Sequence, residues 1–373
     1  MVKIAIFIVF IVLSACSLEA QNVCTTSTTT TQSVATRLNN AISACLSAGG
    51  GTVDARLLVA GTGGGIDAEV DVGNTSGTPI TVQLPVNTTW GISINDSTKC
   101  GIRVYPRGAL IGQDAGNGKM LIDTNSGSLV KAEICVDGAG SSGSVRLEAF
   151  QLMNRGGAST ILDSLLLLQG IQNGSTVQQL NVVSNGVVGV HIGSSSGVGG
   201  NVCCMTLTNN WFNGAANSGS RPVVVEASAS AGASRLTFVG NTIENPGSGQ
   251  YALEVHGYNG YSPSNITFIN TNTEIASNGD MGTPLVLLKD TQHVTFLMMN
   301  GIEYNIGVDP FMLDIQESAP GRSKGNMVWS GRINSTNWVK DETTWGNCSP
   351  SHPCLKTGPS NDTFEKYDQN VDP

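Results

Sequence analysis

Charge is scarce in this chain. Of its 373 residues, 13% are Asp, Glu, Lys or Arg and 5% are aromatic. No basic run occurs, and nowhere do aromatic and basic residues interleave. With a formal net charge of −9, the chain lacks the positive footprint that a nucleic-acid partner requires. An acidic polymer would bind only through local positive groups or a divalent cation. No Cys-x-x-Cys pair and no His cluster has zinc spacing, which argues against a thiolate–metal centre. Gly61–Gly65 lacks the Gly-x-x-x-x-Gly-Lys-Ser/Thr pattern of a phosphate loop and reads as a flexible turn. Between Gly170 and Asn334 no long apolar run has the helical period. Glycine, in contrast, is abundant, at 46 residues, which suits a chain built of tight turns.

What fills that space is a repeat of short strands. Leu147, Leu180, Met205, Leu236, Ile266, Val294 and Met327 head successive copies, at steps of 33, 25, 31, 30, 28 and 33 residues. Within a copy, apolar residues alternate with Thr, Asn and Ser at period two, as at Leu236/Phe238, Ile266/Phe268 and Val294/Phe296. Each copy holds a second apolar strand: Val187–Ile192, Val223–Ala227, Ala252–Val255, Leu285–Leu288 and Phe311–Ile315. A third piece follows an Asn or Gly turn: Trp211–Asn213, Thr242–Glu244, Thr273–Ile275 and Gly301–Glu303. No such unit buries its own apolar face, so each must lie on the next. The expected fold is all-β: a single-stranded parallel β-helix over residues 33–345, its coils ~4.8 Å apart.

Residues 1–20 read as an export signal, with Lys3, then apolar Ile4–Leu13, then small residues. The apolar run is too short to span a membrane comfortably. Leu13-Ser-Ala-Cys16 resembles a bacterial lipobox. In that case Cys16 carries lipid and is the chain's one tie to a membrane; ordinary cleavage nearby is the alternative. Residues 21–32 form a threonine-rich linker, and 346–373 an irregular tail. Beyond the signal lie Cys24, Cys45, Cys100, Cys135, Cys203, Cys204, Cys348 and Cys354. An even number in an exported chain favours disulfides. Cys24–Cys45 and Cys348–Cys354 are the legible local pairs, while Cys203-Cys204 bonds to itself or elsewhere.

Residues 33–48 read as an amphipathic helix with Val34, Leu38, Ala41, Ile42 and Cys45 on one face. Gly49–Gly51 stops it. Strands follow at Thr52–Arg56, Val82–Leu84, Gly101–Tyr105 and Ala109–Gly112. This order, headed by Gly-Gly-Gly-Thr-Val-Asp-Ala, resembles the entrance of the pectin-lyase-like superfamily. The resemblance implies right-handed coiling and a helix that caps the open N-terminal end, where the first coil would expose a sheet edge. It covers most of Ser33–Asn334 as a pattern and implies a fold rather than an activity.

Candidate chemistry sits on the second strand of each copy. Alternate residues of a strand face opposite sides. With Val223, Val225, Leu253 and Val255 inward, Glu226, Glu254 and His256 face out. Val286, Leu288 and Asp290 are expected outward on the next strand, and Met312, Asp314 and Gln316 on the one after. That register puts Lys289 inward, so a bulge or early strand end is expected there. One outer column then holds Glu226, Glu254, Leu288 and Asp314; the next holds His191, Ser228, His256, Asp290 and Gln316. Glu226 and Glu254, one strand apart, would share charge and act as a general acid–base pair. His256 beside Asp290 would be an oriented imidazole. His191, Tyr258 and Tyr261 are candidate sugar contacts. The bland reading is that outward strand positions are polar because they are solvated. A further column, Glu244, Glu274 and Glu303, offers oxygen ligands for Ca²⁺ or is a solvated ladder; no other cofactor is indicated.

The Asn-Thr-Asp, Asp-Asp and Gly-His-Gly signatures of polygalacturonases are absent, His256-Gly257 being the nearest approach. The Trp-x-Asp-His element of pectate lyases and the motifs of pectin methylesterases are also absent, so no catalytic residue carries over. The expected function is that of an exported polysaccharide-active protein, a hydrolase or lyase using Glu226, Glu254, His256, Asp290 and Asp314. The alternative is a non-catalytic protein that binds cell-surface glycan, or a structural coat.

Overall fold

The computed structural model describes residues 22–113, 119–137, 143–157, 159–171, 174–194, 200–229, 231–275, 285–303, 313–320, 322–333, 339–341 and 363–366; at Ile275, 301–303, 328–333, 339–341 and 363–366 it describes the backbone alone. The export signal with Cys16, the Cys348–Cys354 pair, Met312 and most of the tail lie outside the described residues.

The chain coils into a parallel β-helix. Among the described residues, one sheet has nineteen strands and a second has ten, and they wrap the main apolar core. Leu147, Val177, Leu207, Phe238, Phe268, Phe296 and Val328 lie side by side on successive coils, at steps of 30, 30, 31, 30, 28 and 32 residues. Three of the repeat heads expected from sequence are therefore corrected, the first being Leu147, which is in line with Leu207 rather than Met205. Thr176 pairs with Thr206, so the coil-mate of Met205 is Ser175 rather than Leu180. Thr295 pairs with Met327, so that of Val294 is Asn326. Apolar Leu180 and Met327 mimic the pattern but sit elsewhere in it. In the core, the rings of Phe238, Phe268 and Phe296 stack coil on coil, with centroids 4.5 and 4.6 Å apart.

The coils turn through left-handed residues. One corner is marked on successive coils by Gly174, Cys204, Arg235, Asn265, His293 and Gly325, and another by Ala149, Gln179, Asn209, Gly240, Asn270 and Met298, all at positive φ. Glycine and asparagine reach this region at low cost, which accounts for their abundance. The turn residues Asn210 and Asn241 lie one place later. There they are buried: Asn210 Nδ2 donates to Asn241 Oδ1 (2.9 Å) and Asn241 Nδ2 donates to the carbonyl of Leu207 (2.9 Å).

At the N-terminal end, the helix Val34–Ser47 is capped by Ser33, whose Oγ accepts from the Thr36 amide. Val34, Leu38, Ala41, Ile42 and Cys45 are all buried against the first coil. Each larger side chain there contributes about 1.5–3 kcal/mol. Cys45 bonds to Cys24, and part of the segment read as a linker, Val23–Thr25, is a strand paired with Gly51–Asp54. Cys100 bonds to Cys135. Among the described residues, no helix is long and apolar enough to cross a membrane.

Candidate functional site

The ten-strand sheet carries the candidate residues on its outer face. Its relevant strands are Ile161–Gln169, Val188–Gly193, Arg221–Ala227, Leu253–Gly257, Val286–Lys289 and Leu313–Gln316, in spatial order. Val190, Ile192, Val223, Val225, Leu253, Val255, Val286, Leu288, Leu313 and Ile315 point into the core and are buried.

The register differs from expectation by one alternation. Glu226 lies beside His256, and Glu254 lies between Val224 and Leu287. The true columns are Leu167–His191–Val224–Glu254–Leu287–Asp314 and Gly193–Glu226–His256–Lys289–Gln316. The Glu226–Glu254 acid–base pair therefore does not form; the two backbones are diagonal neighbours, ~8 Å apart on strand spacing and rise. Val286 and Leu288 face inward and Leu287 and Lys289 outward, so no bulge is needed; the buried charge implied at Lys289 was the sign that the parity was reversed. Glu254 and Asp314 do share a column two strands apart, as expected. Asp290 lies just past its strand, at φ +52.

This face is not a solvated stripe. Glu226, Glu254, Asp290 and Asp314 are each no more than 6% exposed. Each carboxylate is held by donors. Arg221 grips Glu254 with two hydrogen bonds, Nε to Oε1 (2.8 Å) and Nη2 to Oε2. Asp314 accepts from Tyr251 Oη (3.3 Å) and Gln316 Nε2 (2.8 Å). Asp290 accepts from the amide (2.7 Å) and hydroxyl (2.6 Å) of Ser318.

Glu226 belongs to a longer chain of bonds. His191 Nδ1 meets Asp163 Oδ1 at 2.7 Å, His191 Nε2 meets Glu226 Oε2 at 3.0 Å, and Tyr258 Oη donates to Glu226 Oε1 at 3.1 Å. Burial alone would lower the His191 pKa, but the hydrogen bonds and charges of Asp163 and Glu226 outweigh it and raise it to about 9. His191 is thus an imidazolium at neutral pH, donating through both nitrogens. Burial, with the Glu226 charge and hydrogen bond, pushes the Tyr258 hydroxyl up, so it stays protonated.

The chain of bonds ends at an open cleft of about 490 Å³, lined by His256, Tyr258, Lys289, Asp290 and Arg322 among others. His256 stacks on Tyr258 with ring centroids 4.1 Å apart. Burial and the nearby Lys289 charge lower its pKa, so it is neutral at pH 7. Among the described residues, neither Lys289 nor Arg322 enters an ion pair. Gly260, at φ +88, lets the Arg322 guanidinium lie where a Cβ would otherwise be, 2.5 Å from Nη1. Tyr261 is 47% exposed on the same loop, its amide bonded to the Tyr258 carbonyl.

Asp163, Arg221, Tyr251 and Arg322 were not singled out from sequence, and Lys289 was noted only for its register. A register shift between Ile161 and Ser164 breaks the alternation that would have located Asp163. On the long sheet, Glu244 and Glu274 are coil-mates, but Glu274 pairs with Ile302, and Glu303 pairs with Ile275, so the third member leaves the column. Glu244 Oε1 accepts from Trp211 Nε1 (2.6 Å) and Asn213 Nδ2 (2.9 Å). Among the described residues, no group of three or more His, Cys, Asp or Glu side chains is placed so that it could hold a metal ion.

No protein-family model matches the sequence, and no curated protein matches it. Among solved structures, the chain is similar to the Dettilon tailspike protein, at 10% identity and a TM-score of 0.46, covering 86% of this chain and 68% of that one. It is similar also to the A-module of the Azotobacter vinelandii mannuronan C-5 epimerase AlgE4, at 15% identity and a TM-score of 0.41, covering 83% and 95%. A mutant tailspike protein of E. coli bacteriophage HK620, in complex with a hexasaccharide, matches at 12% identity and a TM-score of 0.34, covering 80% and 63%. At these identities the likeness is one of parallel β-helix architecture.

Proposed function

We propose that this protein acts on an acidic polysaccharide, by proton transfer in the cleft between His256, Tyr258, Lys289 and Arg322. The observation that carries this reading is the hydrogen-bonded chain Asp163–His191–Glu226–Tyr258, which ends at an open, cation-lined cleft beside a neutral imidazole. Lys289 and Arg322 supply the positive groups that an acidic polymer needs on a chain of net charge −9.

The chemistry that fits is β-elimination at a uronate. Neutral His256 takes the proton from the carbon next to the sugar carboxylate, while Lys289 and Arg322 stabilise the charge that develops on it. The electron pair forms the new double bond, and the glycosidic C–O bond breaks. Tyr258 gives its proton to the leaving oxygen. His191 passes a proton to Glu226 and Glu226 passes one to Tyr258, restoring the acid; solvent then reprotonates His191 and takes the proton from His256. A hydrolytic carboxylate pair fits less well, since Glu226 and Glu254 are not paired and each carboxylate is already clasped. From the N-terminal signal pattern we propose that the protein works outside the cell.

The test is incubation with a panel of acidic and neutral polysaccharides, read by the ultraviolet absorbance of unsaturated uronate and by reducing ends. Absorbance that rises with acidic substrates and is lost in Tyr258→Phe is expected. Reducing ends without absorbance would make the protein a hydrolase, and binding without either would make it a glycan-binding module; both overturn the elimination reading.

A further inference from the structure

We propose that Cys203 and Cys204 form a reversible two-electron redox site, a vicinal dithiol that closes to a disulfide. In a regular strand, neighbouring side chains point to opposite faces, so adjacent thiols cannot meet. Here they do: the Sγ atoms are 2.8 Å apart. The cause is the coil corner. Cys204 occupies the left-handed position, at φ +60, which Gly174, Arg235, Asn265, His293 and Gly325 occupy on other coils. That turn breaks the alternation and swings the two thiols to one side. Positive φ at a residue with a Cβ costs about 1 kcal/mol or more, and other coils use glycine here.

The pair is also reachable. Both side chains are half-buried, and Cys203 lines an open cleft of about 410 Å³ with Asn201, Ser234 and Ser264. This cleft shares no lining residue with the one lined by His256 and Tyr258, so the proposal does not depend on the reading of that site. The remaining described cysteines, Cys24, Cys45, Cys100 and Cys135, are already joined as disulfides.

The partner is a small-molecule disulfide. One thiolate attacks it, forming a mixed disulfide and releasing one thiol. The neighbouring thiolate then attacks the protein sulfur of that mixed disulfide, closing the Cys203–Cys204 bond and releasing the second thiol. Two protein thiols are oxidised, one external disulfide is reduced to two thiols, and no other oxidant is needed.

The test uses the full chain equilibrated with oxidised and reduced glutathione at stepped ratios, alkylated, digested and mapped by mass. In the oxidising buffer, the peptide spanning Val202–Met205 should be two hydrogen masses lighter and carry no alkyl group. On mild reduction it should gain two alkyl groups while Cys24–Cys45 and Cys100–Cys135 stay intact. Two alkyl groups in the oxidising buffer, or either cysteine joined to a distant one, would overturn the proposal. Cys204→Gly separates chemistry from folding, because glycine holds this corner at Gly174 and Gly325. In that variant Cys203 should retain a stable glutathione adduct, with the unfolding midpoint near wild type. If Cys203 there stays fully alkylatable after exposure to oxidised glutathione, it does not exchange with a small-molecule disulfide and the proposal fails.

Discussion

Two pairs of glutamates lie on the outer faces of this β-helix. On the long sheet, Glu244 and Glu274 are coil-mates, partly exposed, and Glu244 is met by the neutral donors Trp211 and Asn213. On the ten-strand sheet, Glu226 and Glu254 are buried and gripped by His191 and Arg221. The two pairs recur at similar steps, 30 and 28 residues, yet only Glu244 and Glu274 are stacked, since Glu226 lies beside His256. Recurrence near the coil period therefore does not by itself report a pairing. What a carboxylate can do depends on which cation the strand parity and the corners bring to it. A group in water is screened, and its pairings are worth little. A buried one must be fully satisfied, and losing one partner is costly.

The largest contrast should be in turnover. Tyr258→Phe and His256→Ala should each lower elimination activity by about 10²- to 10⁴-fold, while Glu274→Gln leaves it unchanged; initial rates at saturating substrate decide. The next contrast is in stability. Arg221→Met strands the buried Glu254 carboxylate and should destabilise by about 3–5 kcal/mol, whereas Glu244→Gln should stay within about 1 kcal/mol; urea unfolding of the two variants measures both. A smaller effect is in pH. The folded pKa of His191, about 9, lies above the unfolded value of about 6.5. Its stabilisation is therefore fully present below about pH 6.5 and is lost as pH rises through about 9, on the order of 3 kcal/mol. Denaturation midpoints at pH 6 and pH 10 should differ more in wild type than in His191→Gln. The smallest effect concerns calcium: with Glu303 out of the Glu244–Glu274 column, added Ca²⁺ should shift the unfolding midpoint no more in wild type than in Glu274→Gln.

The coil was readable because apolar alternation and turn residues are local, and stacking multiplies them. Phe238, Phe268 and Phe296 declare the interior directly, and Ser33 with Gly49 brackets the helix. The site was only partly readable. Outward placement of His191, Glu226, Glu254, His256 and Asp314 follows from alternation alone. Pairing between coils does not, since loops of unequal length separate the strands and a shift of two residues preserves the alternation while changing every neighbour. That is why Glu226 meets His256 rather than Glu254. Asp163 lies at an irregularity, and Arg221 and Arg322 reach their places through long side chains that leave no periodic trace.

The Asp163–His191–Glu226–Tyr258 chain is tested most directly by the nitrogen-15 resonances of the His191 ring, assigned by comparison with His191→Gln and followed from pH 5 to 10. The chain of bonds predicts that both ring nitrogens stay protonated at pH 7.5 and titrate near pH 9. A His191 that loses its proton near pH 6.5, as an isolated imidazole does, would contradict it.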